Sequence, residues 1–368
     1  MNAVRALLLL TLLSVGCSTS SGSTSGPPDY TAPGALSVGV LTTAVADSSR
    51  ERTLVVEVWY PTSSAGAGSP VLDFEQDDEA KESALSQLLD AAPAECVAQT
   101  TNATREAPPI VGSYPVIVYT HCYTCTRWSA HFVIEWLVSH GFVVVSADHR
   151  GDTLFDRLDG TASPLDDALV DTREADVRVL LDQVLQGAVL PTGVTADAEL
   201  IGLLGHSIGS VTAGRVVQND DRFSAVAGMA APMENILYGG VSMEDIDIPL
   251  ALLEATEDNS IGEVGNVVLQ DNFESANTPA YKLDIIDAGH WSVTNIAEIT
   301  EDYKPGCGDD LRQVSMEPFT YIPVDEANEY TASFLTAFFA AHLLLDPNAR
   351  DLLESNPWPD AAPIQTRN

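Results

Sequence analysis

Basic residues are scarce in this chain. Only three lysines occur, Lys81, Lys282 and Lys304, and 17 lysines and arginines face 53 acidic residues across 368 positions, for a formal net charge of -36. Such a surface repels nucleic acid and anionic lipid head groups, so nucleic acid is not an expected partner and solubility is the reading of the charge. Long apolar runs are as rare: after residue 17 none approaches the ~20 residues that span a bilayer. No internal repeat or second domain boundary interrupts the chain, which leaves one large domain as the expectation. Cysteine is limited to five residues. Four of them, Cys96, Cys122, Cys125 and Cys307, follow the N-terminal segment, an even count that in an exported chain favours two structural disulfides with three possible pairings. The Cys122-x-x-Cys125 spacing would also suit half a zinc site or a redox pair, but the other half would have to come from two isolated cysteines, so no metal is expected.

What is present at the start is a processing signal. Residues 1–17 carry a positive charge at Arg5, an apolar run from Ala6 to Leu13, and small residues leading into Gly16-Cys17. The pattern reads as a signal peptide too short to span a membrane, and glycine before cysteine resembles a bacterial lipobox, with Ser14 where leucine is usual. Cys17 is then the expected acylation site of an exported lipoprotein facing the periplasm or exterior, with membrane contact through that anchor only, and simple secretion after cleavage nearby is the alternative. Residues 18–33 form a Ser/Thr/Gly/Pro tether. The folded domain is expected over 34–355, with an insertion at 62–112 that walls one side of the site, and a tail over 356–368.

The informative stretch is Leu200 to Val217. A short apolar run ends in Gly205-His206-Ser207-Ile208-Gly209, followed by a helical pattern. A G-x-S-x-G turn between a buried strand and a helix forces the serine onto a strained backbone, with small residues on either side so that strand and helix can approach. Ser207 is therefore the expected nucleophile. Around it, strand and helix patterns alternate: strands at 116–120, 142–147, 225–230, 249–254 and 281–286, helices at 128–139, 165–186 and 325–345. An opening hairpin is expected from 36–41 and 54–60. The alternation predicts an α/β fold with a mainly parallel sheet covered by helices on both faces.

An acyl-transfer serine needs a base and a group to orient it, which follow it in the order acid, then histidine. His290, in Asp287-Ala288-Gly289-His290 after the last strand, is the expected base. The acid is expected on the loop after Pro249-Leu250-Ala251-Leu252-Leu253-Glu254, with Asp258 the choice and Glu257 the reserve. The amides of Ile208 and of the loop after the 116–120 strand would hold an oxyanion. Tyr123, Trp128 and Trp291 are candidate pocket aromatics.

Taken together, Val56-Glu57-Val58-Trp59-Tyr60-Pro61, Tyr114 to His121, Ser139 to Val145, Asp148-His149-Arg150, Gly205 to Gly209 and Ala288-Gly289-His290 resemble the bacterial relatives of platelet-activating factor acetylhydrolase. These are dienelactone-hydrolase-like members of the α/β-hydrolases. The resemblance implies the α/β-hydrolase fold, a serine esterase without a cofactor, small-molecule or lipid esters of short acyl chains as substrates, and Tyr123 at the second oxyanion amide. The chain departs from the family at Cys122, where glycine is usual and a different loop path is implied, and at Ser210, another usual glycine. The stretch Ala227 to Ala231, which carries the acid in animal acetylhydrolases, has no carboxylate; bacterial members and cutinase-like polyester hydrolases place it one strand later, as Asp258 would be. A cutinase-like polyester hydrolase is the alternative enzyme, and a non-catalytic binding protein on a hydrolase scaffold the alternative of another class.

Overall fold

The computed structural model describes residues 27–64 and 66–368. The expected signal peptide and Cys17 lie outside the described residues, as does most of the tether. Strands β1 (Ser37–Asp47) and β2 (Arg52–Thr62) form the expected antiparallel hairpin. The insertion supplies β3 (Ser69–Pro70), α1 (Glu79–Ala91), β4 (Thr100–Thr101) and β5 (Thr104–Arg105). Then come β6 (Gly112–Thr120), α2 (His131–Ser139), β7 (Val143–Ala147), α3 (Leu154–Leu158), α4 (Asp167–Leu185), β8 (Val194–His206) and α5 (Ile208–Asn219). The second half adds β9 (Ala225–Met229), β10 (Leu250–Ala255), α6 (Gly262–Ser275), β11 (Ala280–Ile285), a small hairpin of β12 (Asp309–Leu311) and β13 (Pro318–Thr320), α7 (Val324–Leu343), α8 (Pro347–Ser355) and β14 (Ile364–Arg367).

One sheet of ten strands runs β14-β11-β10-β9-β8-β6-β7-β2-β1-β5, and its six central strands, β7 to β11 with β6, are parallel. Both faces are buried, which is why these strands read as unbroken apolar runs rather than alternating ones. Ile117, Tyr119, Val144 and Leu204 point to the face covered by α2 and α7. Val116, Val118, Val145 and Leu203 point to the other, where α4, α5 and α6 contribute Val177, Leu181, Val216 and Leu269. Helix starts follow local chemistry. Asp166 caps α4 by accepting from the Leu169 amide, and Thr153 and Asp156 close a reciprocal box at the start of α3.

Three expectations change. The segment 356–368 is not a free tail, because Ile364 to Arg367 add an antiparallel edge strand to β11. Four residues after a Pro-rich stretch are too few for a period-two pattern to announce a strand. The insertion, too, has another role than walling the site. It closes the opposite edge of the sheet through β5, and Glu75 accepts hydrogen bonds from Arg127 at 2.9 Å and from the Trp128 indole at 3.1 Å beneath the loop after β6. Trp128 is accordingly core, stacked on Phe74, rather than a pocket residue.

The cysteines pair as Cys96–Cys307 and Cys122–Cys125, so the 122/125 spacing is a disulfide and not half a zinc site. Cys96–Cys307 ties the insertion to the loop beyond His290 across 211 residues. Closing so long a loop removes much conformational freedom from the unfolded chain. No helix among the described residues is long and apolar enough to cross a membrane.

Candidate active site

The turn between β8 and α5 is sharp. Ser207 has φ 57° and ψ -122°, a conformation that costs a side-chain-bearing residue of order 1–3 kcal/mol and that the surrounding structure must enforce. The enforcement is visible: the Ser207 amide donates to the Met229 carbonyl at 2.9 Å, and the Ser210 hydroxyl lies 3.2 Å from the carbonyls of Gly205 and Met229. Ser210 thus uses its hydroxyl to tie the elbow to β9. A Cβ on Gly205 would overlap the Gly209 carbonyl, and one on Gly209 would overlap that of Thr120. Those two glycines are needed for close approach.

His290 Nε2 stands 2.9 Å from the Ser207 hydroxyl, and its Nδ1 stands 2.7 Å from Asp258 Oδ2. The other Asp258 oxygen accepts from the Ser260 and Ile261 amides at 3.0 and 3.1 Å, which fixes the carboxylate before α6 begins. Asp258 is fully buried. Glu257 faces away, bound by Arg312 at 2.7 Å and by the Gln313 amide at 2.9 Å. Between the two adjacent acids, Asp258 is the one in contact with the imidazole. The loop carrying His290 is held in turn: the Gly289 amide donates to Ser292 Oγ at 2.9 Å, which donates to the Gly306 carbonyl at 2.6 Å, one residue from the Cys96–Cys307 bridge.

Two cavities meet at Ser207, sharing Tyr123, Ser260 and His290. The larger, about 450 Å³, is walled by aliphatic side chains, among them Ile236, Leu237, Ile261, Val264 and Val268. The smaller, about 300 Å³, is bounded by Trp291, Tyr303 and the Arg157–Asp302 ion pair. Neither is lined by the insertion; the walls come instead from residues 231–238 and from α6. Sequence reasoning missed these walls, although the exposed apolar pair Ile236-Leu237 within a loop was a signal. The N–H groups of Tyr123 and Ile208 donate to no described residue, which leaves both free for a ligand oxygen. Among the described residues no group of histidine, cysteine and carboxylate side chains is arranged to hold a metal ion.

Several histidines are buried around this centre. His206 packs 5.0 Å from the His290 ring, its Nε2 3.2 Å from the His290 carbonyl, and burial holds it well below the usual imidazole range, as it does His121. Burial also lowers His149 and His342 to about 4. An imidazole depressed in the fold takes up its proton sooner in the unfolded chain, so stability is complete above pH 6.5 and is lost as pH falls towards 4. His149 alone contributes about 3 kcal/mol to that loss. Asp152, raised by burial to about 6, acts in the opposite sense and offsets a similar amount. Glu57, Glu75 and Glu254, likewise raised by burial, act with Asp152, while His121, His206 and His342 add to the loss. Thermal melts followed by circular dichroism are expected to show the midpoint falling between pH 7 and 4.5, the depressed imidazoles outweighing the raised carboxylates; a midpoint that rises over that interval would contradict the burial of neutral imidazoles.

A family model described as chlorophyllase matches residues 91–231, the span that carries β6, the loop with Tyr123, and the Ser207 elbow, but neither Asp258 nor His290. Among solved structures, a ferulic acid esterase from Streptomyces cinnamoneus is similar over 90% of this chain and 97% of that one, with a TM-score of 0.65 and 21% sequence identity. No curated protein matches the sequence. With a serine elbow at the carboxyl end of a mainly parallel sheet, an opening antiparallel hairpin and a likeness that runs nearly the whole length of both chains, this protein has the α/β-hydrolase fold, and both comparisons lie with carboxylic-ester hydrolases.

Proposed function

We propose that the protein is an exported serine carboxylic-ester hydrolase that works through Ser207, His290 and Asp258 and a covalent acyl-enzyme. The observation that carries the reading is the continuous hydrogen-bonded line from Asp258 through His290 to Ser207, at 2.7 and 2.9 Å, opening onto two cavities. His290 takes the serine proton as the hydroxyl oxygen attacks the ester carbonyl, and Asp258 orients the ring and stabilises its cation. The oxyanion of the tetrahedral intermediate is held by the Tyr123 and Ile208 amides. His290 then protonates the leaving alcohol, and water, activated by the same base, releases the acid.

The aliphatic cavity takes the acyl group, and the cleft beside Trp291 takes the alcohol. Short-acyl esters, acetylhydrolase-like, are the proposed substrates, small molecules or lipids in which the acyl chain fits wholly inside the larger cavity. A cutinase-like action on polyesters is the second reading, favoured by the exposure of Ile236, Leu237 and Val264 at the cavity mouth. Two disulfides fit an oxidising compartment and support export, with acylation of Cys17 as the proposed anchor and the membrane's only point of contact.

Hydrolysis of p-nitrophenyl acetate and butyrate by protein lacking residues 1–17, together with labelling by a serine-directed fluorophosphonate, tests the proposal. Turnover and stoichiometric labelling are expected. A protein inert towards both esters and unlabelled would instead be a binding protein on a hydrolase scaffold.

A further inference from the structure

Arg173 lies on α4, outside both cavities, and its side chain is fully buried. Its guanidinium reaches two separate parts of the site. One Nη donates to Asp152; the other donates to Thr120 Oγ1 at 3.1 Å and to the His121 carbonyl. Asp152, also fully buried, accepts from the Thr124 amide at 2.7 Å. The pair therefore grips the backbone on both sides of Tyr123, at residue 121 just before the short ring closed by the Cys122–Cys125 disulfide and at residue 124 inside it. The Tyr303 hydroxyl donates to the Thr124 carbonyl and completes the cage. Thr124 itself has φ 54°, the left-handed region, so its neighbours hold it where it would not rest alone.

The same guanidinium also reaches α5. Arg173 Nε donates to Thr212 Oγ1 at 3.2 Å, and that hydroxyl donates to the Ile208 carbonyl at 3.0 Å. One planar group is thus joined to the carriers of both free amides: to Tyr123 through His121 and Asp152, and to Ile208 through Thr212. We propose that Arg173 is the positioning residue of the oxyanion site, setting the separation between the Tyr123 and Ile208 amides. The inference rests on the serine-esterase reading above.

Holding α4 against the sheet does not require a charge. A buried ion pair is commonly matched or bettered in stability by apolar side chains of similar volume. What apolar groups cannot do is bind a carbonyl, two hydroxyls and a carboxylate from different elements in one plane, which the rigid fork of donors on arginine does. The carbonyl oxygen of an ester bears its full negative charge only in the tetrahedral intermediate. Misplaced amides therefore cost turnover while leaving ground-state binding intact.

The test compares wild type with Arg173→Lys and Thr212→Val. It measures kcat and KM for p-nitrophenyl butyrate, and inhibition by an alkyl trifluoromethyl ketone, whose adduct with Ser207 carries an oxyanion. Lysine keeps the charge but not the fork, so Arg173→Lys is expected to lower kcat about 100-fold, with KM changed by less than about threefold and the ketone weakened in step with kcat. Thr212→Val removes only the link to α5 and is expected to give the same pattern at roughly tenfold, the scale of one hydrogen bond. Unchanged kcat in both variants, or a fall in kcat without weaker ketone binding, overturns the inference. Should Arg173→Lys not fold, Thr212→Val decides by the same two readouts. A wild type without Ser207-dependent hydrolysis overturns the esterase reading and this inference with it, whereas an active wild type with indifferent variants overturns the inference alone.

Discussion

Ser207→Ala is expected to abolish ester hydrolysis, lowering kcat by roughly a million-fold while the fold persists. The size follows from what the hydroxyl does. Of the two serines that line both cavities, Ser207 and Ser260, Ser207 is the one whose hydroxyl stands 2.9 Å from an imidazole nitrogen, and among the described residues there no other hydroxyl is hydrogen-bonded to His290. What remains in the variant is binding and oxyanion stabilisation acting on water, worth about 10³–10⁴ over the uncatalysed reaction. Stability should change little, because alanine keeps the Cβ that makes the φ 57° backbone costly and the elbow is tied down by the Ser207 amide and by Ser210, not by the lost oxygen. The measurement is steady-state turnover of p-nitrophenyl butyrate beside fluorophosphonate labelling and a thermal melt. Loss of both activities with an unshifted melt is the expected result. A variant retaining even a tenth of wild-type turnover would remove Ser207 from the mechanism.

The parts of this site that were legible in the sequence are those whose chemistry is local. Gly205 to Gly209 announced the elbow because a strained turn needs glycine at fixed offsets within five residues, and His290 stood out because it follows the last parallel strand directly. The alternation of apolar runs and helical patterns gave the parallel sheet for the same reason: each element buries its own face. Arg173 was not legible. On an amphipathic helix that also carries Arg178 it reads as one more solvated charge, and its partners Thr120, His121, Asp152 and Thr212 lie 21 to 53 residues away. Cysteine pairing was equally beyond local reasoning, since four cysteines allow three frameworks. The cavity walls fell outside it as well, because residues 231–238 and α6 carry no motif and are brought to Ser207 only by the order of β9 and β10 in the sheet.

The choice between Glu257 and Asp258 shows how far a single residue of spacing matters, and it yields the second large expected effect. Asp258→Asn is expected to lower kcat about 10⁴-fold with little change in KM. Asn can still accept from the Ser260 and Ile261 amides with its oxygen, so the turn before α6 survives. Its amide nitrogen, however, then faces His290 Nδ1 where Oδ2 was, 2.7 Å away, and it can only donate. The imidazole must answer with its lone pair on Nδ1 and its proton on Nε2, which points that proton at Ser207 and leaves no base to receive the serine hydrogen. Glu257→Gln is the paired control. Its partners are Arg312 and the Gln313 amide, so it should keep kcat within about threefold of wild type, its loss limited to a half-exposed ion pair of small worth. Both variants are read by kcat on p-nitrophenyl butyrate, with melts to separate folding from chemistry. If Glu257→Gln were the crippled enzyme and Asp258→Asn stayed within tenfold of wild type, the acid would have to be reassigned. The loop after β10 would then have to turn by one residue on substrate binding, breaking both amide contacts to Asp258 and the Arg312 pair at once.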